Sequence, residues 1–243
     1  MKNIICSLFT ILLSGVLLTS CNRSDEEQVS TPANTGILPN KTTSTRSGST
    51  TTVEVTYTYD GTKLKEINIS PQFDVSKVKF TYTGDNITKI ESFIGTAFNP
   101  YSNVDLVYSG DKLIKAGTTE YTYNSDGTIE GKIGGVTAKR YTMSAGNIVK
   151  EETVYNGVAS EITYTYDSKK NIHRNITGLN KIFNLEGLVW NLIQVNENNP
   201  LSAIGQNGNT TNKTWTYEYN AEQYPIKSVG TVGNQTTTKV ITY

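Results

Sequence analysis

From Val53 onward, apolar and polar residues alternate along the chain with a period of two. Val53, Val55, Tyr57 and Tyr59 are separated by Glu54, Thr56 and Thr58. The alternation returns in Val78, Phe80 and Tyr82, in Val104, Leu106 and Tyr108, in Ile162, Tyr164 and Tyr166, and in Trp215, Tyr217 and Tyr219. Successive side chains on a strand project to opposite faces, so this pattern in segments rich in Thr, Tyr and Val predicts strands with one buried face. Asp60-Gly61, Gly84-Asp85, Gly110-Asp111, Asp126-Gly127 and Gly146-Asn147 lie between such strands and supply the positive φ of tight hairpin turns.

The unit formed in this way recurs about seven times: an aromatic strand ending in Tyr, a polar turn, then a short Lys-bearing apolar strand. Its anchor falls at Tyr59, Tyr82, Tyr108, Tyr123, Met143, Tyr166, Tyr219 and Tyr243. Successive hairpins predict an antiparallel meander, because short connections are favoured. A long open sheet would expose two edges, so an all-β barrel or rolled half-barrel is expected. The step from Tyr166 to Tyr219 is far longer than the others, with room for two units or for one unit plus an insertion. Within it, Leu185, Leu188, Val189, Leu192 and Ile193 form a helical stripe that Asn184 could cap. Gly187 weakens such a helix by about 1 kcal/mol, and Val189–Ile193 could equally form a buried strand. Between helix and strand for Leu185–Val195, the stripe favours a short helix that plugs or covers one barrel end.

The chain opens with Met1-Lys2-Asn3 and an apolar run from Ile4 to Leu18, the layout of a secretory signal peptide. The run is short for a membrane-spanning helix, which needs roughly 20 residues. It ends in Leu18-Thr19-Ser20-Cys21, which resembles the bacterial lipobox. That resemblance implies a diacylglycerol thioether on Cys21 and cleavage before it. The following Ser24-Asp25-Glu26-Glu27 is similar to the acidic export signal that sends Bacteroidetes lipoproteins to the outer face of the outer membrane. Residues 28–51 are mostly Ser, Thr, Asn, Gly and Pro, a composition that buries little surface and predicts a flexible tether. The expected organisation is a signal peptide over residues 1–20, a lipidated tether over 21–51 and a repeat barrel over 52–243.

The Tyr-Asp-Gly pattern followed by a Lys-bearing strand resembles the YD repeat of Rhs and teneurin-type proteins. Taken with the lipobox, with Asp167-Ser168-Lys169-Lys170-Asn171-Ile172 and with Asn199-Pro200-Leu201, the chain most resembles Bacteroidetes outer-membrane lipoproteins with a porin-like barrel fold. The resemblance spans Val53 to Tyr243 and speaks to fold rather than to activity. The chain is far too short to close the toxin-enclosing shell of the large Rhs proteins. A transmembrane barrel would also alternate apolar and polar residues. Strands of five to eight residues, a lipobox and a face rich in Thr, Lys and Glu favour instead a water-facing barrel held by its lipid.

Chemistry is sparse. His173 is the sole histidine, and Asn171-Ile172-His173-Arg174 reads as a surface strand rather than the setting of a general base. With Cys6 inside the leader, the expected mature chain has no thiol besides Cys21, hence no disulfide and no thiolate metal site. No G-x-S-x-G elbow and no phosphate-binding glycine loop occur. Glu151 and Glu152 are adjacent, so on a strand they face opposite ways and cannot share a substrate. Lys plus Arg and Asp plus Glu number 22 each, a balance that gives no field for capturing nucleic acid. The chain is therefore expected to be neither an enzyme nor a cofactor or metal binder. The partners it suggests are a membrane, through the N-terminal lipid, and a glycan, peptide or envelope protein. Tyr is abundant but belongs to the repeat; Trp190 and Trp215 stand outside its simplest form and are the candidate ligand platforms. A purely structural or adhesive envelope protein is the alternative.

Overall fold

A computed structural model describes residues 36–70, 75–97, 99–155, 157–182 and 196–243. The strands are β1 Lys41–Arg46, β2 Thr52–Asp60, β3 Lys63–Ser70, β4 Lys77–Thr83, β5 Asn86–Phe93, β6 Ser102–Ser109, β7 Lys112–Ala116 and β8 Thr119–Tyr123. They continue as β9 Thr128–Ile133, β10 Val136–Ser144, β11 Asn147–Tyr155, β12 Val158–Tyr166, β13 Pro200–Gln206, β14 Asn212–Tyr219, β15 Pro225–Val232 and β16 Gln235–Thr242. Each pairs antiparallel with its neighbours in sequence, and β1 pairs with β16 from Lys41↔Thr242 to Arg46↔Thr237. The result is an all-β, closed, sixteen-strand barrel without sheet edges. The one short helical element among the described residues is a 3-10 turn at Leu179–Lys181.

The expected hairpins form with the expected turns: Gly61, Gly84, Gly110, Gly127 and Gly146 all have positive φ. The boundary is different. β1 lies within the stretch read as tether, so the barrel begins at Lys41 rather than at residue 52. Its sequence, Lys-Thr-Thr-Ser-Thr-Arg, has no apolar residue and therefore no period-two signal. It is a strand because β2 and β16 offer ladders on both sides.

One device is repeated around the barrel. Register shifts fall just before Tyr59, Tyr82, Tyr108, Met143, Tyr166 and Tyr219. In the first three hairpins the return strand carries an unpaired extra residue: Lys65, Thr88 or Ile114. Such a bulge makes the apolar spacing three instead of two, as in Leu64 and Ile67 or Ile87 and Ile90, while both residues stay buried. The bulged backbone is then met by the tyrosine of the next hairpin. Tyr108 donates to the Ile87 carbonyl at 2.9 Å, Tyr123 to Leu113 at 3.0 Å, Tyr166 to Ile148 at 2.6 Å and Tyr243 to Pro225 at 2.9 Å. Tyr82 accepts from the Leu64 amide at 3.1 Å and donates to the Thr177 carbonyl at 3.2 Å. At these five anchors the tyrosine thus fastens its hairpin to the one before it.

The long step after Tyr166 holds β13, which pairs with β14, and an insertion whose described parts are residues 167–182 and 196–199. Its first part turns inward at the Tyr-bearing end. Ile176, Leu179 and Ile182 join a core that includes Val55, Leu64, Val78, Ile90 and Tyr141. Side chains satisfy its backbone: Asp167 accepts from the amides of Lys169 at 3.0 Å and Asn199 at 3.1 Å, and buried Asn171 accepts from the His173 amide at 2.9 Å. His173 is consequently 3% exposed beside Tyr57, not a surface strand residue, because the insertion folds into the barrel instead of pairing along its wall. The expected helix or strand at Leu185–Val195 lies outside the described residues.

On the outer face, Glu130, Arg140, Glu152, Lys150 and Glu161 form a ladder across β9 to β12. Its contacts are Arg140–Glu130 at 2.9 Å, Arg140–Glu152 at 3.5 Å, Lys150–Glu152 at 3.4 Å and Lys150–Glu161 at 3.0 Å. Arg140 holds the Glu130 carboxyl below its ordinary range, and Glu161 raises the Lys150 ammonium. A lipid-facing band is apolar, so this part of the wall suits water.

Candidate functional site

The inner wall is apolar over β2 to β8 and polar where the barrel closes. Thr42 pairs with both Val55 and Ile241 and is buried with them, which assigns its face of β1 to the interior. Arg46 lies on that same face, and cross-strand pairing extends its row through Thr237 and Gly230 to Trp215. The next row toward the insertion runs Ser44, Lys239, Ser228 and Tyr217. The row on the other side holds Gln235, Val232 and Lys213. A cleft of about 320 Å³ opens over these rows, with Arg46, Lys213, Trp215, Gly230, Gln235 and Thr237 in its lining.

Gly230 shapes the floor. A Cβ at this position would stand 2.9 Å from Trp215 Nε1 and 3.0 Å from Cδ1, so the missing side chain is what lets the indole lie against the wall. A glycine inside a strand weakens it, and close approach of another group is a common reason for its presence. The cleft therefore has an aromatic platform seated on bare backbone.

Three cations share this wall. No ion pair or hydrogen bond joins the side chains of Arg46, Lys213 or Lys239 to the described residues. Elsewhere on the inner wall, by contrast, Lys139 is paired with Glu151. The surrounding barrel strips water from Lys239, and this desolvation pulls its pKa below the ordinary lysine value. Arg46 and Lys213 are the charged residues of the cleft lining, with Lys239 in the adjoining row, although the chain as a whole is balanced. The arrangement can hold an anion and stack a ring. Among the described residues, no group of three or more His, Cys, Asp or Glu side chains is placed to hold a metal ion.

No protein-family profile matches the chain, and no curated protein does. The structure is similar to that of a porin-like protein from Bacteroides vulgatus ATCC 8482, with 14% identity and a TM-score of 0.45 over 86% of this chain and 99% of that one. It is also similar to a porin-like protein from Bacteroides uniformis ATCC 8492, with 12% identity and a TM-score of 0.45 over 84% of this chain and 97% of that one. Both likenesses are too distant to transfer a function.

Of the residues singled out in the sequence, Trp215 stands in the cleft, while Cys21, Ser24, Asp25, Glu26, Glu27 and Trp190 lie outside the described residues. Glu151 and Glu152 do face opposite ways, toward Lys139 inside and Arg140 outside. Arg46, Lys213 and Lys239 were not legible as a group. Arg46 sits in the apparent tether, and β16 is polar on both faces from Gln235 to Thr238 and then apolar on both at Val240 and Ile241, so neither strand shows which side is inward. The available signal was the replacement of apolar residues by Thr, Ser, Arg and Lys at alternate positions of these two strands.

Proposed function

We propose that the protein is a surface-exposed outer-membrane lipoprotein, anchored through Cys21 and exported by Ser24 to Glu27, whose barrel acts as a non-catalytic binding module. The ligand is a glycan, a peptide or a neighbouring envelope protein. The observation that carries the reading is the inner cleft, where the Trp215 indole packs against Gly230 beside Arg46 and Lys213, two cations that lack partners among the described residues, with Lys239 in the adjoining row. Pockets that bind small ligands combine such an aromatic surface with a few converging polar groups. The water-facing ladder on β9 to β12, together with strands of five to nine residues against the roughly 9–11 of a membrane-crossing strand, supports a barrel held beside the membrane by its lipid.

A second reading, a structural or adhesive envelope protein, draws on the hairpin tips at the end opposite the insertion. Tyr101, Val136 and Val158 are 73%, 71% and 69% exposed there. A glycan and peptide array probed with the purified full-length protein decides between them. Saturable capture of a defined ligand, lost in Trp215→Ala, is expected. Failure to bind anything across the array would favour the structural role.

A further inference from the structure

The rows of the inner wall carry more information than the presence of a cleft. Aromatic stacking surface comes from Trp215, with Tyr217 in the next row along the same strand. Uncharged hydrogen-bonding groups come from Ser44, Thr237 and Gln235 on β1 and β16. Positive charge comes from Arg46, Lys213 and Lys239 on three different strands, with no described carboxylate paired to any of them. A partly buried lysine without a counter-ion among the described residues is costly, since its ammonium loses water and gains no partner there. An anion brought by a ligand would supply that partner.

Resting on the binding-module reading above, we infer that the cleft takes a short acidic saccharide, with a sugar ring against Trp215 and its carboxylate or sulfate among Arg46, Lys213 and Lys239. The hydroxyl and amide side chains between platform and cations match the hydroxyls of such a ring. A neutral sugar would leave the charges unmet, and a bare inorganic anion would leave the indole unused. A volume of about 320 Å³, near the lower limit of small-ligand sites, suits a short saccharide rather than a long one.

Calorimetric titration of the full-length protein in detergent tests this with four probes: a short oligogalacturonate, a sulfated disaccharide, a neutral oligosaccharide of equal length and sodium sulfate. At least one acidic saccharide is expected to bind at least about tenfold more tightly than the neutral sugar and than sulfate ion, and the two acidic probes separate carboxylate from sulfate as the natural group. Arg46→Ala and Lys239→Met should each weaken that binding by about tenfold or more, the scale of a lost charge-assisted hydrogen bond. Lys239→Met should also raise the thermal midpoint of the free protein, since it removes a desolvated ammonium that has no carboxylate partner among the described residues. If either variant fails to fold, Lys213→Ala provides the same test. Equal binding of neutral and acidic sugars would overturn the acidic assignment and leave the binding module standing. Equal binding of sulfate ion would overturn the saccharide assignment. Absence of binding by every probe would overturn the inference, while the separate array reports on the module itself.

Discussion

The Tyr82 hydroxyl serves two partners, the Leu64 amide in the preceding hairpin and the Thr177 carbonyl in the insertion, whereas Tyr108 has one partner, Ile87, among the described residues. Removing a hydroxyl whose partners are buried costs more than the net value of a single exposed bond, because the partners are left unsatisfied. Tyr82→Phe is therefore expected to cost about 2–3 kcal/mol and Tyr108→Phe about 1 kcal/mol, read from denaturant midpoints at constant slope. The same phenols predict the behaviour in base. Burial pushes Tyr57, Tyr82 and Tyr121 up to about 12 and raises Tyr108, Tyr166, Tyr217 and Tyr243 as well. An unfolded tyrosine ionises near pH 10. Above that value the unfolded state holds fewer protons than the folded state, so stability falls as pH rises. The barrel should keep its full tyrosine contribution below about pH 10 and lose it progressively toward about 12. The phenolate absorbance of these buried tyrosines should then rise together with the loss of circular dichroism, beyond the part contributed by exposed Tyr101; phenolate from the buried set appearing well before loss of structure would show their hydroxyls to be accessible.

At the scale of the element, most hairpins were legible because they place apolar residues on one face and glycine at the turn, whereas the β14–β15 turn has no glycine and takes its positive φ at Gln223. The three-residue spacing of Leu64 and Ile67 departs from that rule, and the bulge at Lys65 accounts for it. β1 and much of β16 were not legible as inward-facing strands, since their inner positions are Thr, Ser, Arg, Gln and Lys: neighbours and closure, not apolar burial, make them strands. Trp215 could be singled out by type, but its setting could not, because it depends on a glycine fifteen residues away in sequence and paired with it in register. That pairing yields an element-scale prediction. Gly230→Ala places a methyl group where the indole now lies, so Trp215 must rotate away from the wall. Any ligand held by the platform should bind about tenfold more weakly, while stability changes by less than about 1 kcal/mol, because alanine offsets some of the strand's glycine cost. Unaltered tryptophan fluorescence and unaltered affinity in this variant would show that the indole is not the platform.

Across the whole molecule, the two barrel ends differ in chemistry. The turns at the insertion end carry Asp60, Asp85, Asp111 and Asp126, with Lys181 bonded to Asp111 at 2.6 Å. Tight turns at the other end, such as Gly134-Gly135 and Gly233-Asn234, bear no charge. This second end is the one toward which Arg46, Lys213 and Gln235 lie, so the cleft is reached from it. For the proposed role, that end must meet the medium outside the cell. The tight turn between β15 and β16 provides a reporter, since Asn234 is exposed and the proposed mature chain holds no thiol other than the acylated Cys21. In intact cells, Asn234→Cys should react with a membrane-impermeant maleimide. Replacing Asp25, Glu26 and Glu27 with Ala in the same chain should restrict labelling to permeabilised cells. Cys21→Ala should release the protein from the membrane fraction or leave an uncleaved precursor. If Asn234→Cys with its acidic segment intact reacts only after permeabilisation, the barrel does not face outward. If Cys21→Ala fractionates with membranes as a mature-length chain, the lipid is not what holds it there. The two results are separable: the first would remove the export role of Ser24 to Glu27, and the second would remove the anchor while leaving the cleft and its chemistry untouched.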